Sequence, residues 1–429
     1  MNSIIAGTVA CLTLAVFAAT LAGQATQPAA PSGAHRYFDQ TMKMLDAIEN
    51  DLPAISTAAS QAAQLYVEHD LRIGIAGERV FISELAGRCG GMMRLEDIRV
   101  PKDQEFKGVV LYGLRGNPSL AEDVFWINYH HKNGSRVAVF GRKEVLARIR
   151  EKMNAQFEWG IETHAAPTGG LIAASNNRYL VPTDELGQVI AGWAWTAEFV
   201  AACTGLGKMP TMYKGYVFAG GKERAEKIGD AKFHAESPRP VAAEQLAKIY
   251  FVEARKSLNA IRQNELNDIL SLAAAAISAR DGHKGVYLFA QNHATMWAFD
   301  GPHDANVFTR IGYWKSQRRD VVIEEGDLVF AHGYVGLWSG EDWKHYDDSL
   351  RAAGAKIAWS MGADAAKTYT FPPGELFIDQ HFADEDAVVP VEGYDINIIP
   401  VSGIGELMIY HMTCAEVLTR RPDHSLVKK

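Results

Sequence analysis

The sequence predicts a duplicated α/β protein: two tandem modules, each a mostly parallel sheet flanked by helices, related by a pseudo-twofold axis. Three observations lead there. The stretch Lys107 to Gly141, KGVVLYGLRGNPSLAEDVFWINYHHKNGSRVAVFG, is written a second time as Asp327 to Met361, DLVFAHGYVGLWSGEDWKHYDDSLRAAGAKIAWSM. Gly113 pairs with Gly333, Gly116 with Gly336, Glu122 with Asp342, Gly134 with Gly354 and Val137 with Ile357, each 220 residues apart without a gap. Each copy reads as a buried strand, a glycine loop, an amphipathic helix, a glycine stop and a second apolar strand. That order is a βαβ unit, which requires parallel strands and a right-handed crossover. Finally, LGQVIAGWAWTAEFVAACT (Leu186 to Thr204) returns as IGELMIYHMTCAEVLTRRP (Ile404 to Pro422), 218 residues later, matching Gly187 with Gly405, Ala197 with Ala415 and Glu198 with Glu416. A repeat this long means two whole domains, not a solenoid of small units.

Length and composition agree. A chain of 429 residues exceeds what one hydrophobic core normally serves, and 48% apolar with 22% charged residues is an ordinary globular balance. A net charge of −8 and a pI near 6.0 leave no basic footprint for nucleic acid. Cys11, Cys89, Cys203 and Cys414 are too few for a disulfide scaffold and form no CxxC pair, so thiolate metal binding is not supported. No metal site and no other cofactor is expected.

In chain order, Ile4 to Ala22 carries no charge and is followed by Gly23-Gln24-Ala25, the small-residue pattern of a signal peptide cleaved after about residue 25. The n-region Met1 to Ser3 lacks Lys and Arg, and the run is long enough to span a bilayer, so a retained membrane anchor stays open, as does an ordinary buried helix. Gln24 stands where a lipobox would need cysteine. Export or anchoring both place the folded part outside the cytoplasm. His35 to Asp70 repeats apolar residues at helical spacing. Leu71 to Ala76 reads as a strand ending at Gly77, Arg79 to Met93 as a helix, and Glu96 to Pro101 as a short strand. After the repeat come a helix (Glu144 to Met153), an extended stretch (Phe157 to Thr163), a loop (Ala165 to Asn177) and the closing helix from Asp184. In the second module a long helix (Leu246 to Ala279) precedes GVYLFA (Gly285 to Ala290), the counterpart of LRIGIA. The predicted domains are thus residues 37–208 and 241–420, joined by a Gly/Lys/Pro-rich linker, 209–240.

A long leading helix, a strand ending in a glycine loop, a second strand of the form GD-apolar-x-x-G-x-x-G, the phrase AGAKIAW and a closing helix with Ala-Glu resemble the sugar isomerase (SIS) domain. The tandem arrangement is similar to the isomerase half of glucosamine-6-phosphate synthase. The resemblance spans Tyr37 to Arg420 and is strongest from Gly326 to Gly362. It implies five-stranded parallel sheets and phosphosugar binding at the carboxyl ends of the strands, where ligands of open parallel sheets bind in general.

The departures are specific. Family members hold the sugar phosphate with a Ser/Thr-rich loop after the second strand. Here those loops read GLRGNPS and GYVGLWS, which keep the glycines and lose most hydroxyls. Ser119 and Ser339 are placed to cap the following helices. The loop residues Gly113, Arg115, Gly116, Asn117, Gly333 and Gly336 are candidate ligand contacts, because glycine admits close approach to the backbone and Arg115 could hold an anion. Glu78 and Arg79 follow the first strand of one module, and Asn292 and His293 follow its counterpart, so these four should face the same cleft.

Aldose–ketose isomerisation needs a base to move a proton between adjacent carbons and a group to open the ring. Glu84 is the candidate base, being the carboxylate inside Arg79 to Met93; Asp300 and His303 are the corresponding groups of module two. His293, His332 and His411 are candidates for ring opening. Glu198 and Glu416 sit among apolar residues and must either reach the ligand or pair across the interface. Trp193, Trp195, Trp338, Trp343 and Trp359 could stack on sugar rings or fill the core. Adjacent His130 and His131 diverge on their helix and make no ligand pair. Three functions remain open: an exported sugar or phosphosugar isomerase, a non-catalytic carbohydrate-derivative-binding protein, and an interaction protein with a vestigial pocket. The expected partner is a small sugar or sugar phosphate, with a homodimer left open.

Overall fold

The computed structural model describes residues 32–99, 106–116, 119–174, 178–298, 305–313, 316–317, 321–334, 341–362, 371–382 and 385–424. The segment read as a signal or anchor lies outside them, as do Asn117, Asp300, His303, Gly336, Trp338 and Ser339. Among the described residues no helix is long and apolar enough to cross a membrane.

The first sheet has the order β2 (Leu95–Asp97), β1 (Arg72–Gly77), β3 (Gly108–Gly113), β4 (Arg136–Gly141) and β5 (Trp159–Glu162), all parallel. The second repeats it with β9 (Thr309–Tyr313), β8 (Val286–Ala290), β11 (Leu328–His332), β12 (Lys356–Met361) and β13 (Leu376–Asp379). It adds one antiparallel edge strand, β10 (Ser316–Gln317), which the expectation of five strands did not include. The central strands β3 and β11 are buried at every residue, as parallel strands covered on both faces must be.

Four element assignments change. The long leading helix is two helices, α1 (Gly33–Asn50) and α2 (Leu52–Glu68), because Pro53 fits only the first turn of a new helix. The helix after β1, α3, stops early at Leu85 (Arg79–Leu85); Ala86 is extended, and Gly87 and Gly90 both turn left-handed, with φ of 73°. The loop after β5 contains β6 (Gly170–Ala173), which pairs antiparallel with β7 (Tyr179–Pro182); β14 (Ala387–Val389) and β15 (Ile398–Pro400) repeat that hairpin in module two. The linker contains α7 (Gly221–Ile228). Ser119 does occupy the N-cap of α4 (Leu120–Lys132), but its side chain makes no capping bond.

Both closing helices, α6 (Asp184–Gly205) and α11 (Ser402–Arg420), are buried on nearly every face and run through one core shared by the two modules. Trp193, Trp195 and Trp359 are buried. The leading helices are exchanged: α1 packs against α11, and α8 (Gln245–Ala260), which leads module two, packs against α6. A Cβ on Gly33 would stand 2.1 Å from the carbonyl oxygen of Ala415, so glycine is required where α1 meets α11. The paired glutamates join these contacts. Glu198 accepts the N–H of Glu244, the N-cap of α8, at 2.7 Å, and Glu416 accepts the N–H of Ala34 in α1 at 3.2 Å. Reciprocal contacts of this kind are what a twofold relation between modules requires.

A second duplicated tie fixes each leading helix segment to its sheet. His164 meets Asp51 at 2.7 Å and Glu162 at 3.4 Å; His381 meets Glu265 at 2.7 Å and Asp379 at 3.6 Å. Both histidines have φ of 49°.

Candidate functional site

Glu78 and Asn292 occupy equivalent positions after β1 and β8, and each closes the next turn of chain. Glu78 accepts the N–H of Phe81 at 2.8 Å, and Asn292 Oδ1 accepts that of Thr295 at 2.9 Å. The backbone at these strand ends is tied to the neighbouring strand in both modules: the N–H of Glu78 donates to the Gly113 carbonyl at 2.9 Å, and that of Gln291 to the His332 carbonyl at 2.7 Å. These bonds set the strand ends on which the site is built.

A cavity of about 300 Å³ lies at the carboxyl ends of β8 and β11, and the sequence-predicted Asn292 and His293 line it. Gln291 and Tyr334 line it from the ends of β8 and β11, and the remaining wall comes from places the sequence reading assigned to a helix and a linker: Gly87 to Cys89 after α3, and Tyr213 with Gly215 to Val217. The early end of α3 explains this. The chain from Gly90 to Met93 pairs with Thr211 to Tyr213, and Ile399 donates to the Gly90 carbonyl at 2.9 Å, so the Gly87–Cys89 turn is held against module two. The phrase GRCGG, Gly87 to Gly91, was the available signal: three glycines in five residues do not belong inside a helix.

Behind the cavity wall, Arg88 is buried among three buried carboxylates from both modules: Glu84 at 3.2 Å, Asp386 at 3.5 Å and Glu406 at 3.7 Å. It also donates to Ser402 Oγ. Asp386 accepts from Ser402 N at 3.0 Å, Ser402 Oγ at 2.8 Å and Tyr334 Oη at 2.8 Å. The Arg88 guanidinium lies 4.7 Å from the Tyr334 ring centre. Three carboxylates cannot all stay ionised around one buried cation. Burial pushes Glu84 up to about 7 against the pull of Arg88, and Glu406 goes well above the usual range for the same reason.

Every described candidate can now be placed. His293 exchanges contacts with Ser83: its carbonyl accepts Ser83 Oγ at 2.8 Å, and its Nδ1 lies 3.3 Å from the Ser83 carbonyl, which requires the proton on Nδ1. His332 is buried with Nε2 3.1 Å from the Glu406 carbonyl. Burial drives both imidazoles down to about 3, so they stand neutral. His411 is held down to about 3 in the same way, 3.8 Å from Glu185. Gly333 donates to Ser360 and leads directly into Tyr334.

Glu78, Arg79, Gly113, Arg115 and Gly116 lie at the strand ends of module one and are not among the cavity-lining residues. Burial and nearby Glu185 push the Glu78 carboxyl up to about 8. Arg79 lies over the Trp297 ring at 5.5 Å. Arg115 is held by Asp123 at 2.7 Å and Glu122 at 3.0 Å. Gly116 is left-handed, with open space where a side chain would go.

Cys89 has its thiol pushed up to about 12 by burial, which makes it an unreactive wall residue. Asp51, Glu162 and His164 bring ligand atoms within 4.8 Å of one another, a grouping of metal-binding type. Its repetition as Glu265, Asp379 and His381 matches a structural tie in each module.

No family model matches the chain, and no curated protein matches it in sequence. Solved structures do. A candidate phosphosugar isomerase from Clostridium difficile superposes with a TM-score of 0.55 at 10% identity, covering 93% of this chain and 96% of that one. The C-terminal domain of glucosamine-fructose-6-phosphate aminotransferase from Francisella tularensis gives 0.50 at 11% identity, covering 89% and 96%. A candidate phosphosugar isomerase from Silicibacter pomeroyi gives 0.50 at 11% identity, covering 90% and 98%. The fold is that of two tandem sugar isomerase domains.

Proposed function

We propose that the protein binds a sugar or sugar derivative in the cavity between its two modules and isomerises it by moving a proton between adjacent carbons. The observation that carries this reading is a ligand-sized cavity at the strand ends of an isomerase fold, with Glu84 held near neutrality 3.2 Å from Arg88, a residue of its lining. A carboxyl with a pKa of about 7 both accepts and returns a proton at neutral pH, which is what isomerisation asks of one group. Arg88 would orient the substrate oxygen, and Asn292 and Gln291 would hold hydroxyls. The N-terminal segment would act as an export signal or anchor, bringing the enzyme to its substrate outside the cytoplasm. Proton–deuterium exchange at the carbon beside the carbonyl, followed by NMR across a panel of sugars and sugar phosphates, tests the reaction. Exchange that disappears in Glu84→Gln is the expected result; exchange unaffected by that change refutes Glu84 as the base.

A second reading, binding without turnover, is favoured by two observations. Glu84 does not itself line the cavity, and His293 is neutral throughout the physiological range. Saturable binding of a sugar with no exchange at any carbon would select it.

A further inference from the structure

We infer that the ligand of this cavity is an uncharged sugar or polyol and not a phosphate ester, an inference that rests on reading the cavity as a carbohydrate site. Among the described residues that line it, Arg88 is the one cation, and Glu84, Asp386 and Glu406 already surround it within 3.7 Å. With one of these carboxylates ionised the cluster is neutral; with a second it is negative. A phosphate ester brings about two negative charges and needs uncompensated donors. Nearby Lys214 is engaged with Glu385 at 2.8 Å.

Several backbone amides at the described strand ends are also occupied, and in two places the occupant is the protein's own carboxylate. Asp123 accepts the Arg115 N–H at 3.0 Å as well as the Arg115 guanidinium, filling the anion position of the loop after β3. Glu78 does the same for Phe81 after β1. After β8 the amide of Gln291 donates to His332 and that of Thr295 to Asn292; after β11 Gly333 donates to Ser360. In contrast, the cavity offers what a neutral polyol needs. Tyr213 and Tyr216 supply aromatic side chains to its lining, suited to C–H faces, and the buried amide oxygen of Gln291 has no hydrogen-bond partner among the described residues.

The test is calorimetric titration and thermal shift of the full chain with matched pairs: D-glucose, D-fructose, N-acetyl-D-glucosamine and sorbitol, each against its 6-phosphate, with inorganic phosphate as a further probe. At least one uncharged member should bind saturably, its 6-phosphate at least tenfold more weakly, a difference of about 1.4 kcal/mol. Val217→Trp, which fills the mouth from an exposed position, should abolish that binding without unfolding the chain. A 6-phosphate that binds more tightly than its parent overturns the inference and leaves the carbohydrate reading standing. Failure of both members of every pair overturns the carbohydrate reading itself. Binding that survives Val217→Trp places the ligand elsewhere and overturns the inference.

Discussion

Glu198, on the closing helix of module one, accepts the backbone N–H of Glu244 at the start of the helix that leads module two. Its twin Glu416 does the same for Ala34 in the leading helix of module one. A buried carboxylate is costly unless its oxygens are used, and the first N–H groups of a helix lack partners within the helix. Each need answers the other, and the answer crosses between modules.

Glu198→Ala should therefore cost about 1–2 kcal/mol, the usual loss of a helix cap, and Glu198→Gln distinctly less, since an amide oxygen still accepts. Urea unfolding of both variants measures it. Equal losses for Ala and Gln would show that the charge, and not the hydrogen bond, matters.

Arg88→Met removes the cation from three buried carboxylates and should destabilise by about 3–5 kcal/mol, as breaking a buried ion pair from one side does. The triple variant Arg88→Met, Glu84→Gln, Glu406→Gln should recover a large part of that loss. Denaturant midpoints decide it; no recovery would mean that packing of the arginine stem dominates.

Two opposed pH dependences follow from burial. Glu84 has its pKa raised from 4.5 to about 7, so between those values the folded state binds more protons than the unfolded chain. Its stabilisation is complete below pH 4.5 and is lost as pH rises through about 7. His293, His332 and His411 are lowered from 6.5 to about 3, so there the unfolded chain binds more protons, and stability falls as pH drops from 6.5. Glu84→Gln should flatten the loss toward pH 7, and His411→Asn the loss on the acid side. Unfolding midpoints measured from pH 4 to 8 would show whether each variant removes its own limb.

The two glycines of the first loop should respond differently to substitution. A Cβ on Gly113 would meet Gln188 and Phe81 at 2.8 Å, whereas Gly116 has only its left-handed backbone at stake. Gly116→Ala should cost about 1–2 kcal/mol of backbone strain, and Gly113→Ala more, with disturbance of the buried Gln188. Thermal unfolding compares them, and a larger loss at Gly116 would contradict the packing seen at Gly113.

The sequence by itself determined the duplication, the parallel sheets and the two buried closing helices. Those rest on hydrophobic period and glycine position, which are local, and a gapless 220-residue repeat copies local signals twice. It also led to Asn292 and His293, because the end of a parallel strand is a place that the order of elements alone defines. The role of Glu198 and Glu416 was half legible: apolar neighbours said that each needed a partner, and only the exchanged packing of α1 and α8 supplied one. Arg88, Asp386 and Glu406 were not legible at all. Asp386 and Glu406 stand about 300 residues from Arg88, and an ordinary charged residue carries no local mark of the partner it will meet. Whether Glu84 is a surface helix glutamate or a buried group poised near pH 7 depends on desolvation, and desolvation exists only once Gly403 and the start of α11 close over it.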